Sequence, residues 1–480
     1  MKSTNGTKRI VIEPVTRVEG HGKVTILLDE QSRIKQARLH IVEFRGFERF
    51  IQGRPFWEVP VLVQRLCGIC PVSHHLAAAK AVDQIVGAEK LTPAAEKIRR
   101  LMHHGQFLQS HALHFFHLCS PDLLFGFDAD VLVRNVIGVA GKYPELAKQG
   151  VLLRKYGQEI IKATAGKKIH GTGAIPGGVN KNLTVEERDG FLKDIDQILE
   201  WSAGALKVAK DYTLQHIEQL SSFAAFDSNH VSIVRSDGSH DIYDGGLRAL
   251  DAQGNKIFDH VDNRKYVDFI AEEVRPWSYM KFPFIRSLGP ENGWYRVGPL
   301  ARVNNCDSFD TPQAENARRE FKALTKGKPN NLTMAYHWAR MIELVHSAET
   351  IQRLLHDPDL QGNDLTVKGE RRDEGIAIIE APRGTLFHHY RVNRDDQITM
   401  ANLIVSTTNN NEPMNRAVRE VAEQYLSGKP EITEGMLNHI EVAIRAYDPC
   451  LSCATHAMGR MPLEVMILDH TGQVIDRKVR

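Results

Sequence analysis

No apolar run in these 480 residues approaches the roughly 20 that a membrane-crossing helix needs. The opening stretch, MKSTNGTKRIVIEPV, lacks an apolar segment long enough for a signal-peptide core, so the chain is expected to carry no export address of its own. Cysteine is scarce too. Six are too few for a secreted disulfide scaffold, which points to a reducing compartment, the cytoplasm. Neither sign of charge dominates: 61 Lys and Arg stand against 59 Asp and Glu, leaving no electrostatic case for nucleic acid or an anionic membrane. Internal repeats and low-complexity linkers are missing as well. What is present, 42% apolar and 25% charged residues, is ordinary for a globular protein with a large core.

Along the chain, KRIVIEPV, GKVTILLD and ARLHIVEF predict three short strands within residues 8–45. From Pro71 the pattern turns helical. VSHHLAAAKAVDQIV runs to Gly87, and Thr92-Pro93 offers an N-cap and first-turn proline for a helix reaching about His117. Further helices are expected near 144–164, 183–219, 311–325, 333–356, 414–426 and 432–446. Residues 222–300 are irregular and read as strands and loops, 374–405 alternate as strands, and PLEVMILDHTGQVIDRKV reads as two strands around a His-Thr-Gly turn. The expected class is α+β: a large central helix bundle with an N-terminal antiparallel sheet and smaller β elements.

The chemistry-bearing pattern is a pair of cysteine motifs, Arg65-Leu-Cys67-Gly-Ile-Cys70-Pro71 and Asp448-Pro-Cys450-Leu-Ser-Cys453-Ala-Thr-His456. Two residues between cysteines let both sulfurs face one centre, with Gly68 easing the turn. Pro71 fits a first helical position, which puts Cys70 at a helix N-terminus where thiolate is favoured. The halves lie 383 residues apart, against about 15–20 in zinc ribbons. By spacing alone, four thiolates fit structural zinc, an iron–sulfur cluster or another metal.

RLCGICPVSHH together with DPCLSCATH resembles the paired signatures of the nickel–iron hydrogenase large subunit. RVEGHGKV (Arg17 to Val24), RGFERFIQGRP (Arg45 to Pro55), IHGTGAIPGGV (Ile169 to Val179) and APRG (Ala381 to Gly384) resemble further blocks of that family, in family order. Within it the chain looks most like the soluble NAD-reducing, bidirectional enzymes. The resemblance implies that Cys67, Cys70, Cys450 and Cys453 all bind nickel, and that Cys70 and Cys453 also bridge to an iron carrying carbon monoxide and cyanide. Thiolates are soft ligands suited to such metals.

The same resemblance assigns the surroundings. Glu19, otherwise an ordinary strand glutamate, becomes the proton relay beside Cys450. Arg383 lies over the open face of the metals, where a permanent charge and fixed donors serve, and Asp448 pairs with it unless it is simply a helix N-cap. Pro382, Ser406 and Thr407 take the place of the groups around the cyanides, although the family commonly has proline where Ser406 stands. Glu48 and His456 would surround magnesium or a similar ion. Ser110 stands where many relatives have aspartate, which removes one acid from the canopy. The histidines at 103, 104, 111, 114 and 117 read better as core residues bonded to their neighbours than as a further metal site.

Gly171-Thr-Gly173-Ala-Ile-Pro-Gly177 superficially resembles a dinucleotide loop, but its third glycine comes one residue late and no βαβ unit surrounds it. NAD is therefore not expected on this chain. With four cysteines committed, Cys119 and Cys306 are too few for an ordinary four-cysteine cluster. The resemblance thus implies an iron–sulfur small subunit, flavin-containing diaphorase subunits that reduce NAD, a maturation protease and nickel chaperones. It also implies one domain over 1–456 and a C-terminal extension, 457–480, cleaved after His456 once nickel is loaded. The alternatives are a hydrogenase of this fold serving another electron acceptor, a subunit like that of respiratory complex I (a lineage expected to lack the cysteine pairs), and a protein stapled by zinc.

Overall fold

A computed structural model of the protein describes residues 8–454, 464–468 and 474–479. Its first element is the expected sheet: β1 (Lys8–Ile12), β2 (Gly22–Leu28) and β3 (Ile34–Ile41), antiparallel and in that order. Ile10 lies opposite Ile26, and Ile26 opposite Ala37. The period of two sends these residues and Ile12, Val24 and Leu39 to one buried face.

The helices start where the sequence supplies first-turn prolines. α1 (Pro71–Ile85) has Cys70 as its N-cap and ends before Gly87, at φ +73°. In α2 (Pro93–Leu113) the Thr92 hydroxyl accepts from Ala95 N at 3.3 Å, and the helix runs on as a π turn, His114–Cys119. Gly157 of α3 (Pro144–Ala165) lets that helix press against α2, where an added Cβ would stand 2.5 Å from the Gly105 carbonyl oxygen. The single helix expected over 183–219 is broken. α4 (Val185–Leu192), closed by a Thr184–Glu187 capping box, buries none of its residues, whereas α5 (Ile195–Gln215) buries Ile195, Ile198, Ala205 and Ala209. One apolar stripe does not run through both, so the chain turns between them, and a short helix, Ile217–Leu220, follows.

The irregular stretch holds a sheet of β4 (Asn229–Val234), β5 (Gly246–Leu250), β6 (Lys256–Val261) and β7 (Tyr295–Arg296), ordered β7-β4-β5-β6. α6 (Pro299–Asn305) and α7 (Pro312–Ala323) lead to α8 (Ala335–Leu355), which is buried on nearly every side and packs with α2 and α5 in the central bundle. β8 (Glu374–Ala381), β9 (Gly384–Val392) and β10 (Ile398–Ile404) form an antiparallel meander against α1, and α9 (Asn411–Leu426) and α10 (Glu434–Ala446) pack in the core beneath the N-terminal sheet. In the tail, β11 (Glu464–Leu468) pairs antiparallel with β12 (Val474–Val479), as expected. His456 and the His-Thr-Gly turn lie outside the described residues. The class is the α+β one read from the sequence.

The Gly171–Gly177 segment opens no helix. It folds into a small hairpin, Ala174–Ile175 against Gly178–Val179, with Pro176-Gly177 at its turn and Gly177 at φ +80°. That hairpin caps a buried ion pair. Asp83 accepts from Arg99 at 2.5 and 3.1 Å and from Gly177 N at 2.7 Å, while Arg99 also donates to the Ile175 and Gly178 carbonyls. Asp83→Ala leaves a buried guanidinium without its counter-charge, and urea unfolding is expected to show a loss of about 3–5 kcal/mol. A loss below about 1 kcal/mol, the range of exposed pairs, is the contrary outcome.

Candidate metal centre

The cysteine motifs meet although they lie 383 residues apart in sequence. Cys67 follows a 3-10 turn, Val63–Leu66, and its Sγ accepts from the amides of Ile69 and Cys70 at 3.2 and 3.3 Å. Cys450 is the N-cap of a second short turn, Leu451–Cys453, and Cys453 is its last residue. The sulfurs stand 3.2 Å apart for Cys67–Cys450, 3.7 Å for Cys70–Cys453, 4.0 Å for Cys70–Cys450 and 2.8 Å for Cys450–Cys453. None of these is a disulfide, whose sulfurs lie about 2.05 Å apart, and all four residues are buried.

Two glycines absent from the sequence argument make this meeting possible. At Gly20, φ +80°, a Cβ would come within 2.6 Å of Ser452 N, and at Gly22 within 2.8 Å of the Leu451 side chain. The chain around Glu19 therefore lies flat along Cys450–Ser452, and Leu451 N donates to the Glu19 carbonyl at 2.9 Å. Gly68, expected to ease the first turn, has an ordinary φ and open space where a side chain would stand, so the turn does not require it.

Electrostatics set the site's charge. Burial pushes the Cys67 thiol up, but hydrogen bonds from the other three cysteines and the Arg383 charge outweigh it and hold Cys67 well below the ordinary range. At Cys70, hydrogen bonds from Cys450 and Cys453 lower the pKa, yet Cys67 and burial prevail and raise it. Cys450 and Cys453 are raised well above their usual value, chiefly by burial. Like charges at this separation resist joint ionisation. A metal cation removes that resistance, and four convergent sulfurs of this kind are a soft donor set. The residues fit a thiolate-bound transition metal.

Glu19 lies where the sequence put it: Cys450 Sγ donates to its carboxylate at 3.0 Å, and Ser452 holds it through N–H at 3.2 Å and through its hydroxyl. Burial, then the charge on Cys67, raises its pKa. Arg383 is fully buried and donates through Nε to the Asp448 carbonyl at 2.7 Å, through Nη2 to Asp448 Oδ1 at 3.0 Å, and through Nη1 to Ser110 Oγ at 3.5 Å. Asp448 is no N-cap. It follows the end of α10 in the left-handed region, φ +53°, and its Oδ2 has no partner among the described residues.

Ser406 Oγ donates to the Gly384 carbonyl at 2.6 Å, Thr407 Oγ1 accepts from Cys450 N at 2.9 Å, and the Pro382 carbonyl accepts from Arg302 at 3.0 Å. Both hydroxyl residues line a small cavity with Cys70, Cys450, Arg383 and Leu386, next to the sulfurs. Glu48, 8% exposed, accepts from Leu403 N at 2.8 Å. Burial raises its pKa, Lys281 lowers it and Glu272 raises it. Glu272 and Lys281, themselves joined at 3.0 Å, went unnoticed in the sequence, where nothing local marks them.

His103, His104, His111 and His114 are buried core residues, as expected, whereas His117 on the π turn is only half-buried. His111 bonds Glu343 at 3.0 Å, His114 the Arg445 carbonyl at 2.7 Å and His104 Ser347 at 3.4 Å; burial lowers His111 to about 4, so it is neutral at pH 7. His114, Cys119 and His337 hold donor atoms within 4.8 Å of one another, but Arg340 lies 3.5 Å from His337 Nδ1, a fixed cation that opposes a metal there.

Four convergent sulfurs, a carboxylate bonded to one of them and a buried guanidinium beside them form a site for a thiolate-bound metal. The sequence pattern of the nickel-dependent hydrogenase family matches residues 45–132 and 200–456, and a HoxL-like pattern matches residues 9–44. The chain belongs to that family, as a large subunit of the nickel–iron type. It is 50% identical to the NAD-reducing hydrogenase HoxS subunit beta of Cupriavidus necator, over 99% of this chain and 100% of that one. It is 43% identical to one subunit of the F420-non-reducing hydrogenase vhc of Methanococcus voltae, over 95% and 96% of the two chains. Among solved structures, an NAD+-reducing [NiFe]-hydrogenase in the H2-reduced state superposes with a TM-score of 0.92 at 55% identity, covering 94% of this chain and 100% of the other.

Proposed function

We propose that this chain catalyses reversible heterolytic cleavage of dihydrogen and passes the electrons through an iron–sulfur small subunit to a flavin-containing diaphorase and NAD+. The observation that carries the reading is the Cys450–Glu19 contact inside the four-sulfur cluster, a metal-ligating sulfur hydrogen-bonded to a carboxylate of raised pKa. Cys67, Cys70, Cys450 and Cys453 would hold nickel, Cys70 and Cys453 would also hold an iron that carries carbon monoxide and cyanide, and Pro382, Ser406 and Thr407 would line its surroundings. Once bound, the metals supply Lewis acidity that polarises hydrogen.

The chain's own residues do the rest. The Cys450 sulfur takes the proton, and Glu19, 3.0 Å away, carries it outward. Arg383, fixed by Asp448, keeps a permanent charge and directed donors over the cavity, and the buried walls exclude water. Glu48 with His456 would hold magnesium or a similar ion. Cys119 and Cys306 are buried singly, so electrons leave through another protein. NAD as final acceptor is supported by the identity to the NAD-reducing relative, 50% against 43% for the Methanococcus voltae chain. No helix among the described residues is long and apolar enough to cross a membrane.

Metal analysis with intact-mass measurement tests this on one preparation. Nickel and iron near one each, on a chain ending at His456 after loss of 457–480 to the maturation protease, is the expected result. Zinc alone sinks the hydrogenase reading, and full activity in a chain ending at Arg480 sinks the processing.

A further inference from the structure

Arg383 sits on an awkward piece of backbone. Ala381 pairs with Gly384, so Pro382 and Arg383 alone make the turn between β8 and β9. Neither has positive φ, whereas two-residue hairpins twist comfortably only in the primed turns that require it. Such a turn gains from an outside brace and from a donor to its Pro382 carbonyl.

Arg302 of α6 supplies both. It is 1% exposed, and its Nη2 donates to the Pro382 carbonyl at 3.0 Å while Nη1 donates to the Ala381 carbonyl at 2.9 Å. The remaining donors are held from two sides: Nε and Nη2 bond Glu343 of α8 at 2.5 and 2.6 Å, and Nη1 bonds Glu380 of β8 at 2.8 Å. Both acids are anchored in turn. Glu343 accepts from His111 and His240 at 3.0 and 3.3 Å, and Glu380 from Ile233 N and the Thr385 hydroxyl at 3.0 and 2.9 Å. The turn also rests on glycine, because a Cβ on Gly298, φ +92°, would stand 2.8 Å from the Arg383 carbonyl oxygen.

We propose that Arg302, locked between Glu343 and Glu380, is the positioning residue that sets where Arg383 stands over the metals. The inference deepens the proposed function and rests on it. Arg302 touches neither sulfur nor the cavity; it acts by holding two consecutive carbonyls of the turn, a task for a planar fork of donors that lysine cannot reproduce.

The test uses Arg302→Lys in the purified multi-subunit enzyme, read by nickel and iron content, by the infrared bands of the iron-bound carbon monoxide and cyanide, and by kcat and KM for hydrogen. Expected are parental metal content, displaced or broadened bands, and kcat lower by roughly 10²-fold with KM less affected, as a misplacement of about 1 Å produces. Asp83→Asn, which weakens a buried ion pair elsewhere, is the control for general loss of stability and should leave the bands in place. Parental bands and kcat in Arg302→Lys overturn the proposal. If that variant does not fold or load metal, Glu343→Gln, which keeps the shape and one acceptor, decides: shifted bands support the positioning role and unmoved bands refute it. A parent enzyme with no nickel and iron would defeat the hydrogenase reading instead, and the two failures are distinguishable.

Discussion

Cys450→Ser is expected to leave a folded chain whose hydrogen turnover has fallen below about a thousandth of the parent's, with nickel lost or misplaced. A hydroxyl is a harder and far less acidic ligand than a thiol, so serine replaces one soft anionic donor with a neutral hard one. Cys450 has a second duty, because its sulfur is the one within 3.0 Å of Glu19. The substitution therefore removes a ligand and the first stop of the proton together. Cys67→Ser, Cys70→Ser and Cys453→Ser should cost the metal as well, but only at Cys450 does the proton route also start. Nickel by elemental analysis and turnover by hydrogen uptake check this, and normal values of both in Cys450→Ser would falsify the assignment of the centre.

Glu19→Gln separates the two duties. The amide keeps the size of the carboxylate and can still bond Cys450 and Ser452, so nickel and iron are expected at parental levels. It cannot take up and release a proton, and turnover should drop roughly 10²- to 10⁴-fold, the usual worth of a positioned acid–base group. Exchange between dihydrogen and heavy water should fall with it, because that exchange needs the proton to reach solvent. Parental exchange in the variant means that protons leave by another way, and Glu19 is then only a holder of Ser452.

How much of this was legible beforehand follows from the range of each signal. The cysteine pairs, the Pro71 and Pro93 helix starts and the alternation in β1 to β3 are local patterns, and each was readable within about a dozen residues. Arg383 with Asp448, and Glu19 with Cys450, were readable only because their motifs resembled those of a family; spacing alone does not join residue 19 to residue 450. Nothing local marks Arg302, Glu343 and Glu380, since charged residues on helices and strands usually face solvent. Ser452, Glu272 and Lys281 were hidden for the same reason. The break between α4 and α5 escaped notice because no proline announces it; it reflects which face the core accepts.

The contact between Glu19 and Cys450 spans 431 positions, close to the largest separation the chain allows. During synthesis at about 5–20 residues per second, Glu19 and the first cysteine pair wait some tens of seconds for the second pair to appear. Of the residues that line the cavity beside the sulfurs, only Cys70 and His74 are made before that interval, and the others, from Ala381 to Cys450, appear near its end. The four-sulfur site is therefore complete only after nearly the whole chain has been made, and its closure belongs to the last steps of folding.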